Sequence, residues 1–347
     1  MSFPTATLEM AVRLRIPVIV WGPPGIGKTA RISQLANRLG LPLTTLIASI
    51  REPSDFGFPR VSDDGVLELC PPSWVKKLQA QGNAILFLDE LSTVPRAVQA
   101  PLLRIIQEKV VGDEQLPNGV AVVAAANPPA QAAGGWLLAP PLANRLLHLE
   151  ATADVDEWAQ WAIMQSEMHA LVAAFLKTQP ELLFKMPEDP HKASMAWPSP
   201  RSWDSGAHVA AGFRDKEEQI LAFTAAVGEV AALTFGEWYD ARDIPDPETL
   251  LANPDDFTPP MRMDRQYAVL TSVAAAVLRN KTRPRWFAAW KILAKAATTA
   301  SPDVAAVAAG ALINNRGDMP LPRKEMEKFA PLVEAAEQSA KRQAKVA

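Results

Sequence analysis

The stretch that decides the fold is GPPGIGKT, residues 22–29, which follows the apolar run PVIVW (17–21) and precedes the amphipathic segment ARISQLANRLG (30–40). Glycines let backbone N–H groups turn inward and surround phosphate oxygens. A helix that begins at the lysine points its positive end at the same anion. The pattern Gly-x-x-x-x-Gly-Lys-Thr between a strand and a helix therefore predicts a phosphate-binding loop.

Within this loop the residue types suggest separate tasks. Lys28 supplies a point charge for the β- and γ-phosphates, and the hydroxyl of Thr29 is placed to reach Mg²⁺. Pro23 and Pro24 lack N–H groups and stiffen the turn, while Gly25 allows a close approach of the backbone. The alternative is a glycine-rich turn before a helix, and the strand and helix on either side disfavour it.

Two further strands end in polar residues. The run NAILFLDE (83–90) is continuously apolar until Asp89 and Glu90, and GVAVVAAAN (119–127) ends in Asn127. An Asp at such a strand end can hold Mg²⁺ through water, and a Glu beside it can orient and deprotonate an attacking water. The amide of Asn127 could hold the same water. The alternatives are ordinary charges at a solvated strand end and a turn-forming Asn before a proline.

The order of these segments predicts the domain organisation. Strands alternate with helices up to residue 152, which indicates an α/β domain with a parallel sheet covered on both faces. The strand signal then disappears, and proline-rich joints occur at 186–200 and 244–260. We expect an α/β domain over 1–152, a helical domain over 153–243 and a helical extension over 244–347, whose last 20 residues form a surface helix.

Composition narrows the class of protein. The chain has 347 residues, 48% of them hydrophobic and 21% charged, as in ordinary globular proteins. A net charge of −3 gives no electrostatic footprint for nucleic acid, and no apolar stretch approaches the length of about 18 residues that a membrane span needs. The single cysteine, Cys70, excludes an internal disulfide and favours a cytoplasmic location. The four histidines lack metal-ligand spacing and are expected to be structural or exposed.

The phosphate loop, the acidic strand end and Asn127, in this order, resemble the AAA+ ATPases, and most closely their MoxR-like branch. The resemblance covers about residues 5–240 and is most specific over 17–150. It implies a P-loop AAA+ core with a parallel five-stranded sheet, followed by an all-α lid. It also implies Mg-ATP hydrolysis, with Mg²⁺ coordinated by Thr29 and Asp89, catalysis by Glu90, and Asn127 as the first sensor. The positions that would bind the nucleotide are Gly22, Pro23, Pro24, Gly25, Ile26, Gly27, Lys28, Thr29 and Ala30.

Two arginines are assigned by the same resemblance. The segment PLANRLLHLE (141–150) is similar to the one that presents an arginine finger to the neighbouring subunit, which would make Arg145 the finger. Because Asn-Arg stands where Asp-Arg is usual, Arg104 and Arg96 remain alternatives. The segment PSPRSW (198–203) is similar to the second sensor and would place Arg201 over the γ-phosphate. Independently, Ser199 and Pro200 are suited to begin a helix there.

Two insertions also resemble the MoxR-like branch. DFGFPRVSDDGVLELCPPSW (55–74) can form a hairpin around SDDG, and EKVVGDEQLPNGVAVV (108–123) predicts a second hairpin. In that branch such loops face a central pore or a partner; the alternative is plain surface loops.

The leading hypothesis is a homo-oligomeric, hexameric ring ATPase that remodels or chaperones a protein client. The resemblance implies a von Willebrand factor A-domain protein as partner. A DNA-associated motor or loader is the second hypothesis, disfavoured by the net acidity. A nucleotide-gated scaffold with little turnover is the third, disfavoured by the complete set of polar residues.

Overall fold

The computed structural model describes residues 3–129, 137–240, 244–299 and 302–329. The chain divides into two compact units, Met1–Ala153 and Asp154–Ala347. A separate lid and extension within the second unit stay a prediction. The surface helix predicted for the last 20 residues lies almost entirely outside the described residues.

The first unit is built on a five-stranded parallel sheet. Its strands run in the order β2-β5-β8-β1-β9, and every neighbouring pair is parallel. Two antiparallel hairpins, β3–β4 and β6–β7, stand apart from it. The predicted fold class is therefore confirmed. The strands are β1 (Val18–Trp21), β2 (Leu43–Ile47), β3 (Phe58–Val61), β4 (Leu67–Cys70), β5 (Ala84–Asp89), β6 (Val110–Val111), β7 (Glu114–Gln115), β8 (Val120–Ala126) and β9 (Leu147–Glu150).

Burial explains why the central strands read as continuous apolar runs. β8 is buried along its whole length, and β5 is buried from Ala84 to Leu88. Such strands lose water on both faces, whereas the edge strand β2 alternates between buried and exposed side chains. Asp89 is the first residue of β5 to regain solvent, so the strand becomes polar where it leaves the core.

Helices of the first unit follow the predicted pattern. They are α1 (Thr5–Arg13), α2 (Lys28–Arg38), α3 (Ser73–Gln81), α4 (Arg96–Glu108) and α5 (Pro140–Ala143). The apolar face of α4 is buried in the core against the sheet, and its residues are Val98, Leu102, Ile105 and Ile106. Hydrophobic burial on one side of an amphipathic helix is what fixes its orientation.

Both predicted hairpins are confirmed. In the first, Val61 of β3 pairs with Leu67 of β4, and the turn between them is closed by the Ser62 N–H, which donates to the carbonyl of Val66 (2.8 Å). Gly65 takes a φ of 76°, a conformation that glycine adopts without steric cost.

The two hairpins are joined to each other. Leu69 of β4 donates its backbone N–H to Oδ2 of Asp113 (2.7 Å) and accepts from the Asp113 N–H (3.3 Å). Gly112 packs so closely here that a Cβ on it would lie 2.5 Å from the carbonyl oxygen of Leu69. The turn of β6–β7 therefore supports the base of β3–β4.

Within the described residues, every element of the second unit is a helix, as predicted. The α-helices are α6 (Val155–Ala162), α7 (Glu167–Thr178), α8 (Pro190–Ala193), α9 (Pro200–Ala210), α10 (Lys216–Val227), α11 (Glu229–Asp240), α12 (Pro247–Ala252), α13 (Met263–Arg279), α14 (Arg283–Thr299), α15 (Pro302–Asn314) and α16 (Arg323–Met326). None of the described helices has both the length and the apolar character needed to cross a membrane.

Aromatic side chains hold the helices of the second unit together. Trp203 of α9 is fully buried, with its ring 5.7 Å from those of Phe175 and Phe223, and its indole N–H donates to the carbonyl of Leu182 (2.7 Å). Large buried aromatic surfaces with a satisfied polar tip contribute strongly to stability. They fix α7, α9 and α10 in one packed group.

The close packing of Gly22 yields a stability prediction. A Cβ at Gly22 would lie 2.6 Å from the carbonyl oxygen of Ala151 and 2.6 Å from Cδ1 of Ile26. Gly22→Ala should lower the free energy of unfolding by about 1–3 kcal/mol, because backbone must shift to admit the methyl group. Urea unfolding followed by tryptophan fluorescence measures this.

Gly310 provides the matched control, because it lies in the middle of α15 and a Cβ there would meet no atom within 4 Å apart from its chain neighbours and the backbone of its own helix. Gly310→Ala should therefore be neutral or stabilising by about 0.5–1 kcal/mol. A Gly22→Ala variant as stable as the parent would contradict the packing described here.

Candidate nucleotide-binding site

The candidate site lies where three neighbouring parallel strands end. The loop 22–27 follows β1, Asp89 ends β5, and Asn127 follows β8. In the sheet β5 lies beside β8 and β8 beside β1, so their carboxyl ends meet at one edge. This edge is where open α/β sheets bind ligands.

The loop itself is shaped by glycine conformation and by the sheet. Gly25 and Gly27 have φ values of 79° and 92°, in the left-handed region that favours glycine. The N–H of Gly22 donates to the carbonyl of Ala126 (3.1 Å), which extends the pairing of β1 with β8 into the loop. Because α2 begins at Lys28, the loop and the positive end of the helix share one location.

Lys28 is the buried cation of the site, with only 9% of the residue exposed. Its Nζ donates to the carbonyl oxygens of Gly22 (2.6 Å) and Pro23 (2.9 Å) and to Oδ1 of Asn127 (2.8 Å). Burying an ammonium group is costly unless its donors are satisfied, and here three oxygens accept from it. Lys28 and Asn127, predicted from separate motifs, are thus in direct contact.

Thr29 and Asp89 form a second direct contact. The Thr29 hydroxyl donates to Oδ2 of Asp89 (2.7 Å), while Oδ1 of Asp89 accepts the backbone N–H of Glu90 (3.0 Å). A hydroxyl and a carboxylate are hard oxygen donors of the kind that Mg²⁺ prefers. The residues present therefore fit the magnesium ion that the sequence predicts.

Glu90 adopts an unusual backbone conformation. Its φ of 59° lies in the left-handed region, which costs a non-glycine residue roughly 1–2 kcal/mol. Strain of this kind is often found at functional sites. Oε2 of Glu90 accepts a hydrogen bond from the hydroxyl of Ser49, just beyond β2. The carboxylate is thereby tied to the end of the neighbouring strand.

Sequence reasoning missed two serines at this edge. Ser49 holds the carboxylate of Glu90, and the hydroxyl of the buried Ser92 accepts the backbone N–H of Asn127 (3.1 Å). Each serine follows a strand of the central sheet by two or three residues. A search for hydroxyl groups just beyond predicted strand ends could have found both.

The three candidate finger arginines lie elsewhere in the first unit. Arg145 is exposed between α5 and β9 and donates to the carbonyl of Pro141 (2.7 Å). Arg104 is engaged within the chain, because it donates to the carbonyl of Gly112 (2.7 Å) and pairs with Glu108. Arg96 is exposed at the first position of α4.

Arg201 belongs to the second unit. It is the exposed second residue of α9, whose N-cap Ser199 accepts the backbone N–H of Ser202 (3.1 Å) and whose first residue is Pro200. The predicted helix start is confirmed. The position of Arg201 relative to a nucleotide stays a prediction.

The family match lies within the first unit. Residues 17–146 match the family described as "AAA domain (dynein-related subfamily)". The nitric oxide reductase transcription regulators NorR1 and NorR2 of Cupriavidus necator are 30% identical to this chain over 132 residues, or 35% of this chain and 25% of theirs. The chain thus spans about a quarter of the length of these curated relatives.

Solved structures give more distant likenesses. NtrX from Brucella abortus is 16% identical, with a TM-score of 0.38 over 80% of this chain and 62% of its own. The RuvB Holliday junction branch migration motor of Thermotoga maritima is 16% identical, with a TM-score of 0.37 over 82% and 87% of the two chains. The strand order, the phosphate loop and the family match agree, and the first unit of this chain has the AAA+ fold.

Proposed function

We propose that this protein is a ring-forming, Mg-ATP-dependent AAA+ ATPase of the MoxR-like type, which remodels, activates or chaperones a protein client. The observation that carries the proposal is the convergence of Lys28, Thr29, Asp89 and Asn127 through direct hydrogen bonds at one edge of the sheet. Cation, hydroxyl, carboxylate and amide are the groups that phosphoryl transfer requires.

Binding of ATP would rest on the loop and on Lys28. The ammonium is held by loop carbonyls and by Asn127, so it needs no large movement to exchange these oxygens for phosphate oxygens. The loop glycines and the start of α2 would supply backbone N–H donors. Thr29 and Asp89 would hold Mg²⁺, which neutralises phosphate charge when bound.

Hydrolysis would rest on Glu90 and Asn127. A carboxylate can accept a proton from water, and an amide can orient that water against the γ-phosphate. Ser49 and Ser92 would act as positioning residues, because they hold Glu90 and the backbone of Asn127.

Separate roles for Lys28 and Glu90 can be tested by substitution. Glu90→Gln should bind Mg-ATP with nearly unchanged affinity and lose hydrolysis by at least about 10²-fold, because an amide cannot take a proton from water. Lys28→Ala should lose binding itself. A fluorescent ATP analogue measures affinity and phosphate release measures turnover; equal affinities in the two variants would contradict the assignment.

We further propose that a complete site forms only between subunits, in a ring that is expected to be a hexamer. An arginine supplied in trans can accelerate phosphoryl transfer by ~10³–10⁵. Arg145 is favoured for this role by the resemblance. Both Arg145 and Arg104 are exposed and donate to a backbone carbonyl, but Arg104 also pairs with Glu108. Arg201 would contact the γ-phosphate from the lid.

Subunit mixing tests the shared site. Lys28→Ala has a defective pocket with an intact finger, and Arg145→Ala has the reverse, so each should be nearly inactive alone. A mixed ring contains some interfaces with both parts intact, and ATP turnover should partly return. Arg96→Ala serves as the control and should keep its activity. If ATP turnover does not recover on mixing although both variants assemble, the arginine finger must be a residue other than Arg145.

The client is proposed to contact the hairpin β3–β4. Its strands expose Phe58, Val61 and Leu67 by 67%, 64% and 66%, and the adjoining turn residue Val66 by 58%. Val61 and Leu67 pair directly across the two strands and so share one face of the hairpin. Exposed apolar surface of this kind commonly marks an interaction site. The resemblance suggests a von Willebrand factor A-domain partner, and the single cysteine fits the cytoplasmic location that belongs to this proposal.

The hairpin prediction separates a protein client from the other candidate functions. Turnover should rise with an unfolded protein such as casein and not with DNA. Val61→Thr with Leu67→Thr keeps β propensity but removes apolar surface, so basal turnover should stay and the casein-stimulated part should fall severalfold. Val230→Thr, which changes an even more exposed apolar residue on α11, is the control. Stimulation by DNA alone would favour a DNA motor, and negligible turnover throughout would favour a scaffold.

A further inference from the structure

Three potential metal ligands converge in the second unit, and none of them is a residue assigned above to the nucleotide site. His169 lies on α7, and Asp204 and His208 lie on α9. Nε2 of His169 and Nδ1 of His208 are each 3.0 Å from Oδ1 of Asp204. One ligand atom from each of the three residues falls within 4.8 Å of the others.

Helix geometry explains the convergence. Asp204 and His208 are four residues apart on α9 and so share one face of that helix. α7 packs against α9 and brings His169 to the same face. The two imidazole rings are 4.6 Å apart at 84°, which directs nitrogen atoms from both toward the carboxylate.

The three side chains of the cluster differ in burial, from the core to the solvent. The His169 side chain is 1% exposed, that of Asp204 35% and that of His208 62%. An ion could therefore enter from the side of His208 and meet a buried ligand that is already fixed in place. A site of this kind keeps one position open to water, as three-ligand metal sites do.

A supporting contact orients the buried ring. Nδ1 of His169 is 2.7 Å from the hydroxyl of Ser166, which also accepts the backbone N–H of His169 as the N-cap of α7. When Nδ1 donates its proton to Ser166, the lone pair of Nε2 faces the carboxylate of Asp204. Metal-bound histidines usually have their second nitrogen held in this way.

We propose that His169, Asp204 and His208 form a binding site for a first-row divalent transition metal, with Zn²⁺ as its representative. Two imidazoles and one carboxylate suit such ions, whereas Mg²⁺ prefers a set of oxygen ligands. Tetrahedral zinc with these ligands needs ligand atoms about 3.3–3.5 Å apart. The two 3.0 Å separations must therefore open slightly, and the two histidine nitrogens, which lie within 4.8 Å of each other, must settle at the same spacing.

Such an ion would fasten α7 to α9 close to a residue of the proposed ATPase site. Arg201 precedes Asp204 by three residues, within the first turn of α9. The bound metal would therefore fix the helix that carries the candidate second sensor. The metal site itself does not rest on the proposed ATPase function, because its residues and its test require no nucleotide.

The test is metal binding by the full chain, treated with chelator and kept free of nucleotide. Calorimetric titration with Zn²⁺ should show one ion per chain, and Co²⁺ should give the visible absorption of a tetrahedral site. His208→Ala and Asp204→Asn should each weaken Zn²⁺ binding by at least tenfold. His191→Ala, which removes an exposed histidine elsewhere in the same unit, should bind as the parent does.

Other outcomes would overturn the proposal. If the three side chains only form hydrogen bonds with one another, the protein would bind no metal at micromolar concentrations. Unchanged Zn²⁺ affinity in His208→Ala would show that the ion binds elsewhere. The same conclusion would follow if His191→Ala lost as much affinity as His208→Ala, or if only Cys70→Ser lost affinity. His208 is largely exposed, so its variant should fold, and the far-UV circular dichroism of the metal-free proteins checks this.

Discussion

The buried ammonium of Lys28 is the constraint on which the site depends. A charge that is only 9% exposed must have oxygen partners, and these come from the loop carbonyls and from Asn127. The loop carbonyls and Asn127 can both reach Lys28 only if β1 and β8 are neighbouring strands whose carboxyl ends lie side by side. The register of the sheet, in which Val18 lies opposite Val123 and Trp21 opposite Ala126, satisfies this requirement. The loop, the strand order and the charge thus depend on one another.

The fold could be predicted from the sequence because its signals are local. Each signal lies within a short segment of the sequence. The signals are the phosphate loop between a strand and a helix, the apolar strands that end in Asp89 and Asn127, and the loss of strand pattern after residue 152. Strands β1, β5 and β8 begin and end within one residue of the runs at 17–21, 83–90 and 119–127. The assignment of finger and sensor arginines came from resemblance, and it stays a prediction, because their function depends on partners beyond one unit.

What the sequence could not reveal are contacts between residues distant along the chain. Ser49 and Glu90 are separated by 41 residues, and His169 and Asp204 by 35. Neither pair has a spacing that signals chemistry. The four-residue spacing of Asp204 and His208 is visible, but alone it is common on helices. Only the packing of α7 against α9 adds the third ligand and turns that spacing into a candidate metal site.

The two hairpins connect the proposed client surface to α4, the helix that follows Glu90, through a series of contacts. Leu69 of the exposed hairpin is bonded to Asp113, and the adjacent Gly112 carbonyl is held by Arg104 of α4. α4 begins six residues after Glu90, beyond a short 3₁₀ turn that includes the buried Ser92. The left-handed backbone of Glu90 and its hydrogen bond to Ser49 therefore stand at one end of a series of contacts that begins at the exposed hairpin.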